Sequence, residues 1–189
     1  KPIQPGIVNA AKLLKHNSVA IFGIGLDMII NKKTSWMYFP ESSCPFYRVT
    51  HLHNYSPHIT PNSRRYSALM AEVSYSGQNP IDSNRLEEST VKGMIDAGLF
   101  PKEKERNIIS RWRMSSEYGY PIPCLDRDRI LTMIQPYLEE RNIYSRGRFG
   151  GWKYEVGNMD HSFMQGVEWV ERMVLGKEEC TYTGSRTVN

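Results

Sequence analysis

The sequence predicts a mixed α+β fold. Strand-like segments precede and surround a few helical ones, and no regular βαβα alternation links them. Residues 18–30 form a near-continuous apolar run interrupted by Gly23 and Gly25, which reads as a buried strand. Residues 67–75 alternate cleanly, with Leu69, Ala71, Val73 and Tyr75 on one face. At 189 residues and 40% apolar content, the chain can bury a core of its own. Its net charge of +4 is mild and suits an anionic ligand, while the Lys/Arg clustering of nucleic-acid binding is missing. Cys44, Cys124 and Cys180 are far apart, which argues against a disulfide framework or a zinc site and fits a reducing, cytoplasmic compartment. No apolar run reaches membrane-spanning length, so no membrane partner is expected.

The elements follow in order. Residues 7–14 have helical apolar spacing. After the apolar run come strand candidates at 36–39, 46–53 and 67–75, the second broken by the turn residues Asn54-Tyr55-Ser56-Pro57. Residues 85–97 are helical, with Val91, Met94 and Ile95 on one stripe and Gly98 as the stop. A strand is expected at 107–114. A helix follows at 125–139, with Ile130, Leu131, Ile134 and Leu138 inward and Pro136 kinking or shortening it. A short strand is expected at 143–144. The last strong element is a helix over 159–175, with Phe163, Val167, Val170 and Val174 at helical spacing, before a polar and loose tail.

Several segments carry candidate chemistry. Gly23-Ile24-Gly25 lacks the third glycine of a dinucleotide fingerprint, because position 28 is Met, so these are read as strand glycines. His51 and His53 share a strand face but lack an obvious third ligand, and no metal site is expected. Tyr38, Arg48 and Tyr55 fall on neighbouring strands and their turn. A pyrophosphate wants this chemistry, a guanidinium for bidentate pairing and phenols for oriented hydrogen bonds, although Tyr and Arg are also ordinary at strand edges. Residues 147–165 pack glycines into a loop directly before a helix. The unpaired N–H groups there suit an anion or the pyrimidine edge of a flavin, or else simply mark a helix capped by Asn158 or Asp160.

The string RFGGWKYEVGNMDHSFMQGVE resembles the C-terminal flavin-binding motif of eukaryotic-type UDP-galactopyranose mutases. WMYFPESSCPFYR, NYSP and EYGYPIP resemble their substrate-domain motifs in the same order, so that the likeness runs over residues 18–176. Flavin-dependent amine oxidases and protoporphyrinogen oxidases share the general layout. The resemblance implies a mixed-sheet substrate-binding domain over residues 1–142, the C-terminal strand and helix of a Rossmann-type FAD domain over 143–177, and a loose tail over 178–189. The N-terminal half with its GxGxxG turn is absent.

It also implies an isomerase without net redox change. Reduced FAD attacks the anomeric carbon of UDP-galactopyranose through its N5 atom, the ring recloses as a furanose, and NAD(P)H serves only to reduce the flavin. No catalytic side chain is required. Arg48, Tyr55, Tyr154 and one tyrosine of Tyr118-Gly119-Tyr120, preferably Tyr120, would contact the pyrophosphate. Tyr38 would lie by the uridine or ribose. Arg148, Gly157, Asn158, Met159 and Ser162 would surround the flavin, with Asn158 also facing the substrate. Met159 stands where the family carries Gln. The expected partners are a UDP-sugar, the missing flavin-binding half, which would cover an exposed apolar face, and a further copy of the chain in a homo-oligomer. The chain by itself is expected to bind FAD weakly and to be inactive. The alternatives are an amine- or protoporphyrinogen-oxidase-like flavoenzyme and a non-catalytic sugar-nucleotide-binding module.

Overall fold

The computed structural model of the chain describes residues 2–184. The chain divides into two units. One comprises residues 18–117, and the other joins residues 1–17 to residues 118–189.

The continuous unit is built on a five-stranded sheet of order β2-β3-β4-β1-β5, where β1 is His16–Leu26, β2 Trp36–Tyr38, β3 Arg48–His51, β4 Ser67–Tyr75 and β5 Ile108–Pro121. The β1/β4, β3/β4 and β2/β3 pairs are antiparallel. Alternation sends Ala20, Phe22, Ile24 and Leu26 of β1 and Leu69, Ala71 and Val73 of β4 into the core. Helix α2 (Leu86–Asp96) completes that core with Leu86, Val91 and Met94. Its C-terminus closes on Gly98, whose φ of 68° only glycine adopts without strain. Gly98 N–H donates to the Ile95 carbonyl and Leu99 N–H to the Met94 carbonyl, each at 2.9 Å. Gly23 and Gly25 are strand glycines on the opposite face of β1, and a Cβ on Gly25 would stand 2.3 Å from Ser110 Oγ.

In the second unit, α1 (Pro5–Ala11) packs against α3 (Arg127–Glu139) through Ala10, Ile130 and Ile134, with Ile7, Leu14 and Leu138 around them. Helix α4 (Met159–Leu175) follows the glycine-rich loop, and a short α5 (Cys180–Thr183) ends the described residues.

Most elements stand where the sequence predicts them; four details differ. Helix α1 starts at Pro5, whose fixed φ and missing N–H suit a first helical turn. Strand β5 continues to Pro121, through polar residues whose propensity would have ended it. Pro136 does not break α3, because the helix needs only three more residues after it and loses a single backbone bond. Residues 143–144 form no strand: Ile143 N–H is taken by the Leu138 carbonyl in the cap of α3.

The borders of the two units fall within β1 and β5. Residues after 142 are fastened to α3, since Gln135 Nε2 donates to the Gly150 carbonyl at 2.8 Å and Arg146 pairs with Glu139. The tail is also less loose than its composition suggests. Glu179 is 3% exposed at its side chain and bonded to Arg146 and Arg172, which anchors α5; residues 185–189 lie outside the described residues.

Candidate substrate and cofactor residues

The first cluster lies in the continuous unit. Antiparallel register places Tyr38 opposite Arg48 and Arg48 opposite Glu72, so the three side chains share one row on the face of the sheet away from the core. The Arg48 guanidinium is held by a carboxylate. Its Nε donates to Glu72 Oε1 at 2.8 Å and its Nη2 to Oε2 at 2.7 Å, and Tyr47 donates to the same Oε2 at 2.6 Å. Glu72 is 5% exposed. The rings of Trp36, Tyr38 and Tyr47 stand 5.7, 5.9 and 5.8 Å from Arg48 Cζ, and Arg48 Nη1 lies 3.5 Å from the Tyr38 hydroxyl. Tyr55 follows a short 3-10 turn, Leu52–Asn54, which Asn54 ties down by donating to the Lys32 and Thr34 carbonyls at 2.7 and 3.0 Å. The Tyr55 and Trp36 rings are 6.3 Å apart. Tyr38, Arg48 and Tyr55 are therefore gathered as the sequence suggests, with Trp36 and Glu72 added.

The second cluster lies in the other unit. The Tyr120 and Tyr154 rings are 5.9 Å apart, and Arg148 Cζ sits 4.4 Å from the Tyr120 ring centroid. Arg148 Nε donates to the Gly157 carbonyl at 2.8 Å. A Cβ on Gly157 would stand 3.0 Å from the Lys153 carbonyl oxygen and 3.2 Å from Arg148 Cγ, so loop and arginine cross closely here and a side chain would have to push one of them aside. Asn158 is the N-cap of α4 in extended conformation. Its side chain makes no cap bond, and its carbonyl receives Ser162 N–H at 2.9 Å. Met159, the first helical residue, is 89% exposed.

Gln165 was not singled out by its sequence context, yet it organises this loop. It is buried, accepts Gly147 N–H at 2.8 Å and donates to the Val156 carbonyl at 2.9 Å. A glutamine six residues past the helix start looks like a surface residue in sequence, and only the chain wrapped over it reveals the role. Gly147 itself has φ 82°.

The histidines serve backbone carbonyls. His51 is buried and donates from Nδ1 to the Thr34 carbonyl at 2.7 Å, while His53 Nδ1 lies 3.0 Å from the Ala68 carbonyl. Burial pushes the His51 imidazole below its ordinary pKa, against the hydrogen bond to Thr34. Among the described residues, no group of three or more His, Cys, Asp or Glu side chains is placed to hold a metal ion, and no helix is long and apolar enough to cross a membrane.

The apolar stripe of α4 is open. Phe163 is 74% and Val174 73% exposed, and Val167 and Val170 are exposed beside them. The buried side of this helix carries Gln165, with Trp169 half-buried.

No family model matches the chain. A crystal structure of reduced UDP-galactopyranose mutase superposes with a TM-score of 0.86 at 40% sequence identity, over 92% of this chain and 37% of that one. A putative protoporphyrinogen oxidase from Exiguobacterium sp. 255-15 superposes with a TM-score of 0.54 at 12% identity, over 70% of this chain and 30% of that one, which is a likeness of fold. The chain thus spans little more than a third of the mutase it matches. Over 92% of its length it has the mixed α+β fold of part of a UDP-galactopyranose mutase, the family that its motifs resemble.

Proposed function

We propose that this chain is the C-terminal portion of a UDP-galactopyranose mutase-like flavoenzyme, an isomerase that interconverts UDP-galactopyranose and UDP-galactofuranose. The observation that carries this reading is the 40% identity to a UDP-galactopyranose mutase across 92% of the chain. The site residues support it. Arg48, with Tyr38 and Tyr55, offers a guanidinium and phenols to the pyrophosphate of a UDP-sugar, with Tyr38 toward the uridine or ribose. Tyr120 and Tyr154, their rings 5.9 Å apart, offer two further hydroxyls to such a ligand.

The chain's residues also suit FAD. The first turn of α4 carries N–H groups without intrahelical partners, Asn158 leaves its amide uncommitted to the cap, and Gly157 lets the loop close on Arg148. Arg148, Gly157, Asn158, Met159 and Ser162 would hold the pyrimidine edge, where a contact by backbone N–H tolerates Met at 159. Reduced flavin, kept reduced by NAD(P)H, would supply a nucleophilic N5 atom for the anomeric carbon. The side chains of this chain would then orient the sugar nucleotide and neutralise the departing pyrophosphate, so that no general base is needed.

The remainder of such an enzyme would cover the open stripe of α4, where Phe163, Val167, Val170 and Val174 await an apolar surface. The chain alone is then inactive and binds FAD weakly, with a cytoplasmic location and homo-oligomers part of the same reading.

Titration of the chain with UDP and with FAD, followed by Trp fluorescence, tests this. UDP is expected to bind in a manner that depends on Arg48. Loss of one charged contact costs about 1.5–3 kcal/mol, so Arg48→Ala should raise Kd by roughly ten- to a hundredfold. Unchanged UDP affinity in Arg48→Ala would overturn the pyrophosphate assignment. A stoichiometric yellow flavoprotein formed by this chain alone would overturn the need for a second half.

A further inference from the structure

We infer that Glu72 is a positioning residue for Arg48, selecting which edge of the guanidinium meets a nucleoside diphosphate. This rests on the reading of Arg48 as a pyrophosphate contact.

A guanidinium can be met from two sides, along the Nε/Nη edge or end-on across its two Nη atoms. Glu72 takes the first, since its oxygens accept from Nε at 2.8 Å and from Nη2 at 2.7 Å. Nη1 is thereby turned toward the Tyr38 hydroxyl, 3.5 Å away. The end-on edge and a phenol converge, which is the pattern of donors that one phosphate oxygen can accept together. Glu72 is itself braced, because Tyr47 donates to its Oε2 at 2.6 Å and Tyr47 N–H donates to the Glu72 carbonyl at 3.0 Å.

Stability does not call for this arrangement. Position 72 lies between Ala71 and Val73 in a strand whose other face is core. A buried ion pair roughly breaks even against well-packed apolar residues, so an aliphatic side chain would serve a merely structural strand as well. What the pair supplies is order. A free arginine side chain samples many rotamers, and Glu72 together with three aromatic rings near Cζ restricts that freedom before a ligand arrives. The carboxylate also offsets the arginine charge, so recognition rests on direction more than on net attraction.

The test uses the 189-residue chain with UDP as the probe, comparing wild type, Glu72→Gln, Glu72→Ala, Arg48→Ala and the Glu72→Ala/Arg48→Ala double variant. Releasing one long side chain costs about 1–1.5 kcal/mol, so Glu72→Ala should weaken UDP about tenfold. Glu72→Gln keeps one acceptor for Nε–H and should recover part of that. In the Arg48→Ala background, Glu72→Ala should change nothing further, whereas a general loss of structure would appear in both backgrounds. Thermal unfolding reports whether each variant is folded, and Glu72→Gln decides the matter if Glu72→Ala is not. If Arg48→Ala loses UDP while both Glu72 variants bind like wild type, or tighter, the positioning role is refuted and the Arg48 contact stands. If Arg48→Ala binds UDP like wild type, both fall.

Discussion

Glu179→Gln is expected to lower the stability of the discontinuous unit by about 3 kcal/mol. Glu179 is one of four interlocking charges. Arg146 donates to it from Nε and Nη2, Arg172 donates from Nη1 at 2.8 Å, and Glu139 shares both arginines. Arg146 is 8% exposed at its side chain. Removing one partner of a buried pair costs about 3–5 kcal/mol. The lower end applies here, because Arg146 keeps Glu139 at 3.0 Å and the partly exposed Arg172 can return to water. In a chain of this size that corresponds to a fall in Tm of about 6–12 °C. Burial by itself would raise the Glu179 carboxyl, but the hydrogen bonds from Arg146 and Arg172 outweigh it and hold the pKa below the usual carboxylate range. A carboxyl depressed in the folded state stabilises above its unfolded pKa, about 4.3, and loses that contribution as pH falls through the folded value. The gap between wild type and Glu179→Gln should thus be full at pH 7 and shrink below about pH 4. Thermal unfolding by circular dichroism at pH 7 and in acid measures both. A difference under about 2 °C at pH 7, or a gap that persists undiminished in acid, would refute the reasoning.

Further outcomes follow from packing and exposure. Gly93→Ala would gain about 1 kcal/mol in helix propensity, but its Cβ would stand 2.6 and 2.9 Å from Pro45 ring carbons and 3.1 Å from Phe46. Overpacking of about 1–3 kcal/mol should win, lowering the urea midpoint, and Pro45→Ala should restore it in the double variant. Phe163→Glu, at an open position on α4, should leave the stability of the chain within about 0.5 kcal/mol while reducing self-association and preventing pairing with a flavin-binding half. Sedimentation velocity of the chain, alone and mixed with that half, would register either result.

How far this was legible depends on what each signal encodes. Leu69, Ala71 and Val73 fix β4 because a two-residue period is a local property of a strand with one buried face. Gly98 marks the end of α2 for a similarly local reason, a backbone angle that favours glycine. Tyr38, Arg48 and Tyr55 could be grouped from their strands and turn. Glu72 could not be added to them, since a lone carboxylate in a half-apolar strand looks like an outward-facing residue until register sets it beside Arg48. Gln165 was hidden in the same way by the chain that folds over it. Tyr120, Tyr154 and Arg148 came from motif resemblance, because sequence spacing does not foretell that an aromatic at 120 meets an arginine at 148. The strand expected at 143–144 failed for want of a partner, and sequence does not show that Glu139 and Gln135 grip Arg146 and Gly150.

The discontinuity of one unit has a consequence for how this chain is made. Residues 18–117 are contiguous, so their sheet and α2 can close as soon as that stretch has left the ribosome. Helix α1 emerges earlier than its partner α3. Ile130 and Ile134, which cover Ala10, are delivered more than a hundred residues later. The α1 contribution to that core must therefore wait until α3 is synthesised. A break or insertion at either crossing between the units would separate the two parts of the α1/α3 core while leaving the sheet sequence whole.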